Sequence, residues 1–418
     1  MINERYREDR EHQRLGSLTV YCGPTHSGKT KKLDGEAERA QRQGRRMQRL
    51  AAPSDANRLM DQLDPATELI TLDDAQRYDD RLVDVLNDMA TVHRVDVVVA
   101  GWELDYTGRP AGPMPELMCA ADVALKLDDG VCAQPGCRNL ASRTQGFLSS
   151  GSRDFPHDKS SGSRDFPRDK SSGSRDFPRV DGTPERFLPV CRRHHTAEPR
   201  AHAFQEVWFD EPAGSLDLIT GCMFSGKTQE LIRRLDQAHY AGSTIQAFKP
   251  ALDDRYAIAA VASHREIRFP AIAVPDVAAL AEQVRDDTRV IGIDEAQFFG
   301  HEIVALAEEL VNRGRHVIVA GLDLDFLARP FGPMPLLAAY ADRLTKLQAS
   351  CQYPGCGSHQ ASRTQRLVDG VPAPVDGPLV VIGGAATYQA RCRHHHRIGV
   401  PARSEPEPVR VAEESIDL

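Results

Sequence analysis

Two stretches of this chain carry glycines, a lysine and a hydroxyl at the spacing GxxxxGK[ST]: Gly221-Cys-Met-Phe-Ser-Gly-Lys-Thr228 and, earlier, Gly23 to Thr30. Glycines at those places let a loop fold back so that backbone N–H groups point at phosphates beside a helix N-terminus. Lys227 is expected to bridge the β- and γ-phosphates of ATP and Thr228 to hold Mg2+, with Gly221, Ser225 and Gly226 completing the cradle. Gly23, Gly28, Lys29 and Thr30 repeat that arrangement. Downstream, VIGIDEAQFF from Val290 is an apolar strand ending in paired carboxylates. Asp294 at the strand end can reach the Mg2+ shell. Glu295 beside it can accept a proton from an attacking hydroxyl or water. The chemistry indicated is nucleotide-dependent phosphoryl transfer.

All but Cys22, Cys119 and Cys222 of the 9 cysteines fall into two sets near histidines. Cys351, Cys356, Cys392 and His395 read CxxxxC followed by CxxH, and Cys132, Cys137, Cys191 and His194 repeat the pattern. Three thiolates and one imidazole suit a closed, tetrahedral, structural Zn2+ site. His394 and His396 flank His395 and are alternatives for the fourth ligand.

The elements that must position these groups are duplicated in order. SLTVYCGPTHSGKT returns as SLDLITGCMFSGKT, LDDAQRYDD as IDEAQFFGH, and RPAGPMPELMCAADVALKL as RPFGPMPLLAAYADRLTKL. CxxxxC followed by ASRTQ occurs twice, and CRRHH is matched by CRHHH. The pattern indicates a tandem duplication, with a period far too long for a solenoid. Apolar runs such as VDVVVAG and HVIVAGL lack polar alternation, as strands buried on both faces do. The expected architecture is α/β: two tandem P-loop NTPase-like domains, each a mainly parallel sheet flanked by helices with a small zinc-binding lobe.

The expected boundaries are 1–195 for the first domain, 196–214 for a linker, 215–400 for the second domain and 401–418 for a disordered tail. Residues 149–180 hold a GSRDFP repeat with too little apolar surface to order itself. A length of 418 residues suits two domains. The net charge of -8 speaks against nucleic-acid binding as the main business. The charged N-terminus is not a secretory signal, and no apolar run approaches a membrane span. The expected compartment is the cytoplasm, where clustered cysteines favour metal over disulfide.

Taken together, the phosphate loop, DEAQFF, GLDLDFLARPFG and the split Cys/His site resemble the type II thymidine kinase family over nearly all of 216–397. The resemblance implies transfer of the ATP γ-phosphate to the 5′-hydroxyl of thymidine, giving dTMP in nucleotide salvage. It implies Glu295 as general base and Arg255, in KPALDDRY, as a phosphate-contacting arginine. It places Met223, Leu322, Phe326, Phe331 and Thr364 around the thymine, with Phe298 beside them. VIGGAATYQARC matches the family's lasso loop, with Tyr388 as its aromatic. Relatives assemble as tetramers, so the duplicated chain is expected to form a homodimer resembling a tetramer.

The first copy departs from that pattern. Asp73 and Asp74 stand where Asp294 and Glu295 do, and a base shortened by one methylene is a costly misplacement. Thr25, Trp102, Tyr106, Ala111 and Arg77 replace Met223, Leu322, Phe326, Phe331 and Phe298. The lasso signature is missing before Cys191. The first copy is therefore expected to bind nucleotide weakly or not at all and to serve as a structural or regulatory partner. Two other classes remain open to the chain, a non-catalytic nucleotide sensor and a zinc-bearing P-loop ATPase acting on nucleic acid. The complete set Lys227, Thr228, Asp294 and Glu295 opposes the first; the acidic charge opposes the second.

Overall fold

A computed structural model describes residues 16–50, 55–127, 130–147, 186–198, 214–251, 270–381 and 387–401. The GSRDFP repeat, the expected linker core, the tail, Arg255 and 382–386 of the lasso segment lie outside those residues. The first half runs β1 (Leu18–Cys22), α1 (Lys29–Arg42), β2 (Met47–Leu50), α2 (Asn57–Asp61), β3 (Leu69–Leu72), α3 (Leu82–Thr91), β4 (Asp96–Ala100), α4 (Met114–Ala120) and β5 (Val123–Lys126). A ribbon of β6 (Arg143–Phe147) and β7 (Arg186–Val190) follows. The second half runs β8 (Ser215–Gly221), α5 (Lys227–Tyr240), β9 (Ile245–Pro250), β10 (Ala271–Val274), α6 (Val277–Gln283), β11 (Val290–Ile293), α7 (Glu302–Asn312), β12 (His316–Gly321), α8 (Met334–Tyr340) and β13 (Arg343–Leu347). Its lobe is β14 (Arg363–Val368), β15 (Val371–Pro372) and β16 (Tyr388–Arg391).

The main sheets are parallel, ordered β2-β3-β4-β1-β5 and β10-β9-β11-β12-β8-β13. The strands read as expected for sheets covered on both faces: β11 is buried throughout, and β12 at every residue but its first. Amphipathic helices cover them. On α7, Ile303, Val304, Ala307, Leu310 and Val311 recur at helical spacing and are all buried. The two orders coincide except for β10, the edge strand that the second half builds from its longer segment between phosphate loop and acidic pair. In each sheet the strand feeding the phosphate loop lies between the last two strands added to the core. That is the switch point where open α/β sheets bind ligands.

The halves meet through α4 against α8 and β5 against β13, and one apolar core holds Leu117, Met118, Ala121, Leu337, Ala338 and Ala341 together. Helix C-termini leave carbonyls without partners and carry partial negative charge. Here each half supplies the cations for the other's helix end. Lys346 donates to the carbonyls of Met118 (3.0 Å) and Cys119 (2.5 Å) on α4, and Arg363 and Arg393 donate to Ala120 at 2.7 and 2.9 Å. In the reverse direction Lys126 donates to Ala339 (2.8 Å) and Ala341, and Arg143 and Arg192 donate to Tyr340 at 2.9 and 2.7 Å.

Buried carboxylates compensate these cations. Arg363 and Arg393 flank Asp122 at 3.7 and 2.8 Å, while Arg143 and Arg192 flank Asp342 at 3.4 and 3.1 Å. Burial works to raise the Asp342 carboxyl, but the guanidiniums of Arg143 and Arg192 outweigh it and hold the pKa at about 2. Asp122 is likewise held well below the carboxylate range, burial being outweighed by Arg393 and Arg363.

Candidate active site and metal centres

The phosphate loop leaves the C-terminal end of β8. Gly221 takes φ 138° against the carbonyl of Leu347, where a Cβ would fall 2.2 Å away, so no other residue fits. Gly226, at φ 88°, opens α5. Ser225 Oγ donates to the Cys222 carbonyl (2.8 Å), and Lys227 is buried with its ammonium on the same oxygen (2.8 Å). Thr228 Oγ1 donates to Asp294 Oδ2 at 3.0 Å, bringing together the hydroxyl and carboxylate that the sequence separates by 66 positions. Burial, and then the charge of Glu295, pushes Asp294 up to about 6 against the hydrogen bond from Thr228.

Glu295 sits in the left-handed region (φ 53°), which turns its side chain out of the strand line. Gln297 fixes it: Nε2 donates to Glu295 Oε2 at 2.6 Å, while Oε1 accepts the Leu322 backbone N–H at 2.9 Å. Sequence reading assigned Gln297 no role; its place two residues past the carboxylate in both halves (Gln76 in the first) was the available signal.

Among the residues expected to line the nucleoside, contacts form in pairs. Met223 N–H donates to Thr364 Oγ1 (3.0 Å), and Phe298 meets Phe331 edge to face with centroids 5.7 Å apart. Phe326 is buried beneath Arg366, whose guanidinium carbon lies 3.6 Å from the ring centre. Arg366 was missed because nothing local marks it; only the pairing of β14 with β16, Arg366 opposite Tyr388, brings it here. Tyr388 donates its hydroxyl to the Val381 carbonyl at 2.6 Å.

The first half reproduces the phosphate end. Gly23 (φ 140°) and Gly28 (φ 86°) shape the loop, Thr30 Oγ1 meets Asp73 Oδ2 at 3.0 Å, and Lys29 donates to the carbonyls of Gly23 (2.8 Å) and Pro24 (2.7 Å). Burial lowers the Lys29 pKa. Asp74 adopts φ 56° and accepts from Gln76 at 3.1 Å, and Gln76 accepts the Trp102 N–H at 3.1 Å. The Gly23 N–H donates to Glu103 (2.6 Å), which pairs with Lys126 at 3.1 Å and so ties this loop to the other half.

Both Cys/His sets converge. The ligand atoms of Cys132, Cys137, Cys191 and His194, and those of Cys351, Cys356, Cys392 and His395, all lie within 4.8 Å of one another. Cys137 and Cys191 sulfurs are 4.0 Å apart and those of Cys356 and Cys392 3.9 Å, beyond any disulfide. Zn–S bonds of about 2.3 Å set tetrahedral sulfur–sulfur edges of about 3.8 Å, so the donor sets fit zinc. The choice among neighbouring histidines is decided by their contacts. His395 Nδ1 lies 3.2 Å from Cys392 Sγ, whereas His394 bonds the Gly16 carbonyl (2.8 Å) and His396 the Phe326 carbonyl (2.9 Å).

Parallel sheets with a phosphate loop, a hydroxyl–carboxylate pair and a second carboxylate at the same strand end define the class, a P-loop nucleotide-dependent phosphotransferase. The thymidine kinase family model matches residues 214–396. The thymidine kinase of Coprothermobacter proteolyticus is 51% identical over 185 residues, which are 44% of this chain and 91% of that protein. The chain belongs to the thymidine kinase family and is an ATP-dependent kinase. Domain III of the Thermotoga maritima replication initiation protein DnaA aligns over 32% of this chain and 55% of that one at 16% identity, but a TM-score of 0.22 gives that likeness no weight. Among the described residues no helix is long and apolar enough to cross a membrane.

Proposed function

We propose that the second half, residues 215–400, carries the kinase activity, moving the ATP γ-phosphate to the 5′-hydroxyl of thymidine to yield dTMP for nucleotide salvage. The observation that carries this reading is the clamp of Gln297 on Glu295, beside the Thr228–Asp294 pair. Glu295 takes the proton of the 5′-hydroxyl. Lys227 swings from the Cys222 carbonyl to the β- and γ-phosphates, and backbone N–H groups from Gly221 to Thr228 hold the phosphate oxygens. Mg2+, held by Thr228 and Asp294, would neutralise charge on the phosphates. Met223, Leu322, Phe326, Phe331, Phe298, Thr364 and Tyr388 enclose the base, and Arg255 contacts phosphate.

Each Cys/His set holds one structural Zn2+ that fixes the ribbon beside the site. The first half, 1–195, serves as a built-in partner across the reciprocal interface, and two chains pair into a tetramer-like assembly with no part for nucleic acid. The test is thymidine phosphorylation with Glu295→Gln. A positioned general base contributes about 10²–10⁴-fold, so dTMP formation should fall by that factor while Mg–ATP still binds. Activity within about threefold of wild type, smaller than any such contribution, would remove Glu295 as the base.

A further inference from the structure

The first half keeps the loop, the buried lysine and the hydroxyl–carboxylate pair of the second and departs from it beyond them. Its loop, buried Lys29 and Thr30–Asp73 pair match their second-half counterparts in conformation and distance. The space beyond them differs. In register, Arg143 on β6 corresponds to Arg363 on β14, so Gly146 stands for Arg366 and its ladder partner Phe187 stands for Tyr388. The aromatic of the missing lasso signature thus has a counterpart in Phe187, which precedes Cys191 by the same spacing as Tyr388 precedes Cys392.

Phe187 packs on Trp102 (centroids 5.6 Å apart) and on Tyr106 (5.8 Å). These are the counterparts of Tyr388, Leu322 and Phe326. In the second half the Tyr388 hydroxyl is bound to Val381 and Arg366 covers Phe326. In the first half the three rings occupy one another. Asp74 is one methylene shorter than Glu295 and faces Arg77 at 3.5 Å, in the place of Phe298. A cation next to the would-be base competes for its negative charge.

We infer that the first half is a second nucleotide site that holds a magnesium nucleoside triphosphate without passing on its phosphate, its nucleoside-acceptor space being filled by Trp102, Tyr106 and Phe187. This goes beyond the weak or absent binding expected from sequence, and it rests on reading Gly23 to Thr30 as a phosphate loop.

The experiment is equilibrium dialysis of the full chain with a non-hydrolysable Mg–ATP analogue, and separately with thymidine. The expected result is two nucleotides but one thymidine per chain, with Lys29→Ala and Lys227→Ala each reducing the nucleotide count to one. A wild-type count of one nucleotide that Lys29→Ala leaves unchanged overturns the proposal, as do two thymidines per chain. Should Lys29→Ala fail to fold, Trp102 decides. The chain has 2 tryptophans, so in Trp208→Phe Trp102 reports alone. A saturable change in its fluorescence with the analogue when Lys227→Ala is also present supports the site, and a flat titration overturns it. Loss of catalysis in Glu295→Gln is a separate readout, so failure there leaves the binding counts informative.

Discussion

Replacing Asp342 by alanine should cost the protein about 3–5 kcal/mol of stability, because it strands buried cations. The Asp342 carboxylate accepts from the Leu216 N–H at 2.9 Å, from Arg192 Nε at 3.1 Å and from Arg143 at 3.4 Å. Arg192 keeps Glu308 at 2.6 Å after the change, but Arg143, only 4% exposed, keeps no carboxylate within the pairs described. The depressed pKa of Asp342 gives a second figure. Depression of the Asp342 pKa from 3.8 to about 2 corresponds to about 2 kcal/mol favouring the ionised form. That is a lower bound, since a protonated carboxyl still accepts hydrogen bonds and an alanine does not. The assay is urea unfolding of the full chain, with Glu309→Ala as control. Its pair with Arg313 is short (2.5 Å), but the side chains are 53% and 64% exposed, so its loss should cost below about 1 kcal/mol. If Asp342→Ala costs no more than Glu309→Ala, the reciprocal network is not what holds the halves together.

Acid should loosen the same interface: a carboxyl whose folded pKa is depressed stabilises above its unfolded value of 3.8 and loses that contribution as pH falls through about 2, so the urea midpoint should drop across that window, and less steeply in Asp342→Ala. Arg366→Ala uncovers Phe326, and a cation–π contact of about 0.5–2 kcal/mol predicts a thymidine KM raised about 2- to 30-fold; an unchanged KM in folded protein would refute a role for Arg366 at the base. Atomic emission should find two zinc ions per chain, with Cys137→Ser and Cys356→Ser each removing one; retention of both in either variant would displace that cysteine from the ligand set.

Much of the candidate site was legible because its pieces are contiguous. A phosphate loop is built by one run of residues, so Gly221 to Thr228 announces itself, and the apolar strand before Asp294 does the same for the acidic pair. The cysteine spacings foretold two convergent sets, and the buried β-branched runs foretold parallel strands. Gln297 was visible but silent, since a glutamine gains meaning only from the Glu295 carboxylate and the Leu322 N–H it bridges. The ASRTQ repeat likewise showed that Arg143 and Arg363 recur without showing what they bind.

What the sequence determined by itself is therefore what local spacing encodes: a glycine-rich loop opening a helix, paired carboxylates at a strand end, and Cys/His sets that converge. Tertiary structure decided which histidine joins the cysteines and that each half caps the other's helix. Those choices depend on strand register and on contacts such as Lys346 with Met118 or Arg393 with Asp122, between residues 228 and 271 positions apart. Such partners have no fixed spacing along the chain. They become neighbours only when burial of both sheets' helices in one core brings the carbonyl-bearing helix ends within reach of the opposite half's cations.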